Sequence, residues 1–211
     1  MFKSLFNPDN ALMFTLSQIT DCIFLSLFWL LGCFPVVTAG ASFAALYDAS
    51  FRGFRKKEKN SWQRFGKVFK NNWKAGILPS VTVLGLFWAL LSVLIRLWNM
   101  TVAQEISLGL FSGCAFAGVV ALGILSLVFP MLSRFENSFG GLMKNCLILG
   151  IANLPRTVGL GIVNGITIFL CVRYVFPLFF LPSQAALLGS WLIEPVFKPF
   201  MPEESVEEAA E

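Results

Sequence analysis

Long apolar runs dominate this chain, and the short polar breaks between them divide it into elements. After Lys3 and an Asn-Pro-Asp-Asn at 7–10, residues run apolar to Pro35, with Asp9 or Asn10 placed to cap a helix. PVVT at 35–38 breaks that helix, and Thr38 is placed to cap a second one through the small residues of 39–50 into a basic run. Further apolar runs follow at 75–98, 105–132, 157–176 and 184–200. A helix needs about 20 mostly apolar residues to cross hydrocarbon. The pattern therefore predicts an all-α, polytopic transmembrane bundle of about six membrane helices. The segment 38–54 is short and carries Asp48, so hydropathy alone passes it over. Charge placement argues that it crosses, and the alternative is a re-entrant or interfacial segment.

The basic run at 52–74 holds nine of the sixteen Lys and Arg residues and one acid, Glu58. Such a run stays on the cytoplasmic side, and with two spans before it both termini are cytoplasmic. Within it Trp62, Phe65, Phe69 and Trp73 recur at helical spacing, while Arg64, Lys67, Lys70 and Lys74 fill the other face. That predicts an amphipathic helix in the interface, where anionic lipid headgroups or a partner protein would meet it. A second interfacial helix is predicted at 134–153, with Phe135 and Phe139 on one side, Lys144 interrupting, and Arg156 at the cytoplasmic mouth of the next span. The segments 65–77 and 139–151 share six identities at an offset of 74 residues, which suggests a parallel repeat of 38–99 and 105–177.

Composition sharpens the class. Hydrophobic residues make up 56% and charged residues 13%, against about 25% charged in soluble domains, and mean hydropathy is +0.74. The chain reads as one membrane domain, 1–202, with an acidic cytoplasmic tail at 203–211. Ala39-Gly40-Ala41 resembles a leader-cleavage site, but the stretch before it is too long and too poor in cations, so the first span is expected to be retained. Five cysteines are scattered without paired spacing and histidine is absent, which argues against a disulfide frame, a metal site and imidazole catalysis. No phosphate-binding loop, nucleophile elbow or dinucleotide fingerprint occurs. The reading is non-enzymatic, with no catalytic residue and no cofactor, and the basic run between two spans favours lipid or protein over nucleic acid. Asp21 and Glu194 are the intramembrane carboxylates, with Arg173 as the expected counter-ion. Gly109 with Gly113, and Gly161 with Gly165, form GxxxG pairs expected to pack inside the bundle.

The opening FNPDNALMFTLSQITDCIFLSLFWLLGCFPVVTAGASFAALY, the basic amphipathic helix and NLPRT at 153–157 resemble the YesL-like family of bacterial membrane proteins, a domain of unknown function. NPDN, Asp21 with Trp29, PVVTAGAS and NLPRT carry most of the likeness, and Ser26 stands where that family is expected to have Asn. The resemblance implies a bacterial plasma-membrane protein that serves a carbohydrate ABC importer as an accessory or regulatory subunit beside its permease. The alternative is a stand-alone small-solute transporter or channel, with Asp21 and Glu194 in its path.

Overall fold

A computed structural model describes residues 11–55, 60–135 and 138–200, with side chains from 18 onward. Among them are eight α-helices: α1 (Ala11–Cys33), α2 (Ala39–Ser50), α3 (Ser61–Asn72), α4 (Ile77–Val102), α5 (Leu108–Arg134), α6 (Phe139–Ala152), α7 (Leu154–Arg173) and α8 (Leu181–Phe197). The predicted caps Asp9 and Asn10, the acid Glu58 and the tail 203–211 lie outside the described residues. Three helices, α4, α5 and α7, are long and apolar enough to cross a membrane. Their outward positions are lipid-compatible, as with Leu86, Val93, Phe116 and Phe169.

The core helix is α2, the segment that hydropathy passes over. Every residue of it except Phe43 is buried, and Ala41, Ala44, Ala45 and Ala49 are fully so. Small side chains let α1, α3, α5 and α8 close around its backbone. At 1.5 Å per residue its twelve residues rise about 18 Å, short of the roughly 30 Å of a hydrocarbon core. A π-helical turn at Phe51–Arg55 extends it toward the basic run. Its start differs from expectation. The Thr38 hydroxyl does not cap α2; it donates backward to the carbonyls of Gly32 at 2.7 Å and Pro35 at 2.9 Å. Those carbonyls belong to the end of α1 and the break after it, so the threonine serves the preceding helix terminus.

Helix α3 runs back along α2. Arg64 meets Asp48, Phe65 and Val68 pack with Ala45, Leu46 and Ala49, and Gly76 closes on the Ala41 backbone. The chain then turns straight into α4, whose third residue, Pro79, sits in its first turn where proline costs no hydrogen bond. Helices α5, α6 and α7 follow in the second half. Helix α6 lies along the end of α5, with Cys146 against Met131 and Gly150 against Ile124, and α7 then crosses α5. Both crossings are tight: a Cβ on Gly40 would meet Ser80 and the Gly76 carbonyl, and one on Gly123 would meet the Thr157 carbonyl. In both, a hydroxyl bonds into the turn before the long helix, Ser80 to Gly76 O at 2.5 Å and Thr157 to Gly150 O at 2.8 Å. Gly76 and Asn153 are the corresponding N-caps, so the geometric register differs from the one in the aligned segments.

The GxxxG pairs divide. Gly161 packs on the Val119 carbonyl, whereas Gly109 and Gly113 face open space. The expectation that both pairs pack inside the bundle therefore fails for the first pair, because no described residue lies against that face of the first turns of α5.

Candidate functional site

At one end of the bundle the last turns of α2, α5 and α8 meet, and α3 begins beside them. The ion pairs of Asp48 and Glu194 lie here. Glu194 of α8 takes Arg134 of α5 at 2.8 Å and accepts the Tyr47 hydroxyl of α2 at 3.0 Å. The two charged side chains are 13% and 12% exposed, so most of their hydration has been exchanged for each other. The Arg134 guanidinium also lies 4.4 Å from the Phe51 ring, a cation over a π face. Arg55 approaches Phe51 and Trp191, each at 5.4 Å, and its guanidinium lies 3.5 Å from the Ser190 carbonyl of α8.

A second pair lies one helix over. Asp48 of α2, 3% exposed in its side chain, accepts from Arg64 Nε at 2.7 Å and has Arg52 Nε at 3.5 Å. Asp48 and Arg52 are one turn apart on the same helix face, and Arg64 enters from α3, so this contact clamps the α2 and α3 hairpin. On α3 the buried face is Ser61, Phe65 and Val68, and the Phe65 ring stacks on Phe28 of α1 at 6.1 Å and on Phe69 at 6.2 Å. Lys67, Lys70 and Lys74 are exposed, as are Trp62 and Trp73 at 53% and 46%. The predicted aromatic stripe is thus split by function: Phe65 and Phe69 pack the helix down, and the two tryptophans stay outside.

The other predicted positions distribute as follows. Asp21 is half-buried on α1 next to Cys22, and Cys22 meets the side-chain amide of Gln184 of α8 at 2.7 Å. Ser26 is fully buried and accepts the backbone N–H of Ser183 at 3.3 Å, which ties α1 to the first turn of α8. Arg173 is not the counter-ion of Glu194. Helix α7 runs antiparallel to α5, so its last residue lies at the end away from Arg134, exposed, 5.5 Å over its neighbour Tyr174. Phe135 packs edge-on against Phe197 at 5.5 Å, and Phe139 is half-buried. Lys144 and Arg156 are exposed, the latter reaching Asn153 at 3.4 Å. Helix α6 is not amphipathic as expected: Lys144 shares its outward face with Leu147, Ile148 and Ile151, all more than half exposed. The two predicted interfacial helices are also held separately, α3 by α1 and α2, α6 by α5 and α7.

Asp48, Arg134 and Tyr47 carry this site and were not singled out in the sequence. The one local signal was Asp48 with Arg52 four residues later, a helical ion-pair spacing inside an otherwise small and apolar segment. The partners Arg64, Arg134 and Glu194 are brought in by tertiary packing, which no spacing announces. No curated protein and no solved structure matches the chain. A family model described as "Protein of unknown function, DUF624" matches residues 22–100, a region that runs from α1 through the α2 and α3 hairpin into α4 and includes the Asp48 clamp.

Proposed function

We propose that this chain is a non-enzymatic subunit of the bacterial cytoplasmic membrane that packs against the permease of a carbohydrate ABC importer and stabilises or regulates it. One observation carries the reading. Helix α3 is pinned on its inner face by Phe65, Val68 and the Arg64–Asp48 pair, while Trp62, Lys67, Lys70, Trp73 and Lys74 are left outward. A held helix with tryptophans and cations facing out is the composition of a binding surface, because little ordering entropy is lost when a partner docks. The resemblance to YesL-like proteins supplies the importer and the sugar. For topology, α8 returns the chain to the end where α5 finishes, next to the basic run, and the positive-inside bias favours the cytoplasm for that end of the bundle. A re-entrant α2–α3 hairpin removes one of the six crossings read from the sequence and puts the two chain ends on opposite sides of the membrane, so the reading with both termini in the cytoplasm requires α2 to cross. A stand-alone sugar or ion path is disfavoured, since the cavity inside the bundle is lined almost wholly by apolar side chains.

Purification of the tagged protein in mild detergent is expected to bring permease subunits with it. Replacing Lys67, Lys70 and Lys74 with Glu should release them while leaving the protein inserted in the membrane. Recovery of the wild-type protein without permease, with sugar uptake unchanged in its absence, would reject the proposal.

A further inference from the structure

A cavity of about 320 Å³ lies inside the bundle, and it exists because α2 is short. Helix α2 begins opposite Phe129, which stacks on Phe43 at 5.0 Å. Leu122, Leu125 and Ser126 of α5 line the cavity and lie beyond the first residue of α2, where no helix continues its course. The space left over is bounded by Val83 and Phe87 of α4, Thr167 and Cys171 of α7, and Ala186 of α8. All three long apolar helices contribute walls, α4 from its first half, α5 from its second half and α7 from Leu160 to Cys171. The cavity is partly open, and at this depth of the three spans the medium outside it is hydrocarbon.

The serine, asparagine and threonine side chains in the wall each donate one hydrogen bond within their own helix. Ser126 donates to Leu122 O at 2.7 Å, Thr167 to Val163 O at 2.8 Å and Asn164 to Leu160 O at 2.9 Å, all within their own helices. A cavity so lined stays dry. Its volume falls in the range of small-ligand sites, which run from about 300 Å³ upward. Trp29 also lines the cavity. Tyr47, also in the wall, marks the end of the cavity nearest the Arg134–Glu194 pair.

We propose that this cavity is a binding site for one acyl chain of a bilayer phospholipid, drawn from the leaflet on the side of the basic run. The chain runs from Trp29 and Tyr47 toward Cys171. The apolar wall selects hydrocarbon over sugar, ion or water. The occupant enters laterally from the bilayer, where its concentration is highest.

The test uses the full chain with Trp62, Trp73, Trp88, Trp98 and Trp191 replaced by Phe, so that Trp29 is the only indole. It is reconstituted in phosphatidylglycerol and phosphatidylcholine vesicles whose acyl chains carry bromine, a contact quencher of indole fluorescence. Trp29 should lose most of its emission. Ala186→Phe, which fills the cavity, should restore it, and Leu125→Phe is the second filling variant should the first not fold. Lipid bound after extensive detergent exchange, read by native mass spectrometry, should be about one phospholipid per chain in the parent and none in the filled variant. Absence of quenching in the parent overturns the proposal. So does equal quenching in a folded filled variant, which assigns the contact to surrounding lipid. Retention of free fatty acid in place of phospholipid would overturn the source.

Discussion

Arg64→Gln tests whether α3 is held as a fixed surface. The Asp48 carboxylate is 3% exposed, with Arg64 Nε at 2.7 Å and Arg52 Nε at 3.5 Å. An exposed ion pair contributes about 0–1 kcal/mol, whereas removing one member of a buried pair costs about 3–5 kcal/mol because the other charge is stranded. This pair lies between those limits, since Arg64 is 31% exposed while its partner is not. Removing the arginine leaves the buried carboxylate with only the longer contact to Arg52, so a loss of about 2–3 kcal/mol is expected. Removing the carboxylate instead, in Asp48→Asn, leaves a guanidinium that water can reach, and the cost should fall to about 1–2 kcal/mol. The order of the two is the discriminating quantity. Equilibrium unfolding of detergent-solubilised protein, followed by circular dichroism as a denaturing detergent is titrated in, measures both. The double variant should cost less than the sum of the singles, because the stranded charge disappears with its partner. A cost for Arg64→Gln below about 0.5 kcal/mol, or simple additivity, would refute the reasoning and leave the contact as an ordinary surface pair.

Other substitutions separate packing from propensity. Gly123→Ala puts a methyl against the Thr157 backbone carbonyl, which cannot rotate away, and should cost about 1–3 kcal/mol as a fall in melting temperature. Gly109→Ala and Gly113→Ala meet open space and should each stabilise α5 by up to about 1 kcal/mol, so matching losses at all three positions would contradict the α5 and α7 crossing. Glu194→Gln strands Arg134, which is 13% exposed, and should cost about 3 kcal/mol; Tyr47→Phe removes one hydrogen bond to the same carboxylate and should cost about 1 kcal/mol. Trp62→Ala and Trp73→Ala should change stability by no more than about 0.5 kcal/mol while weakening capture of the permease, and a large loss of stability instead would show that these rings pack inside the fold.

The helices were legible because their signals are local. Length of apolar run predicts α4, α5 and α7, spacing predicts α3, and proline with small polar residues marks the breaks near 35 and 153. The outcome at α2 shows the limit. Its alanines, serines and Asp48 give a weak hydropathy signal, yet it is the most buried helix, because small residues are what the centre of a bundle needs for backbones to approach. Hydropathy measures preference for hydrocarbon, and burial inside protein is a different property. The stripe on α3 failed in a similar way: period places Phe65 and Trp62 on neighbouring positions, and only the presence of α1 and α2 decides that one is covered and the other is not.

By itself, then, the sequence determined that the chain is helical, that it has apolar helices of membrane-spanning length, and that 52–74 is a cationic stretch. Those properties follow from composition and from residues within a few turns of one another. The tertiary structure decided that Glu194 takes Arg134 rather than Arg173, that Asp48 clamps α3, that one GxxxG packs while the other stays open, and that a short α2 leaves an apolar cavity above it. Each of these depends on which helices end at the same height in the bundle. That is set by how long each helix is relative to its neighbours, a relation between distant segments that no window along the chain contains.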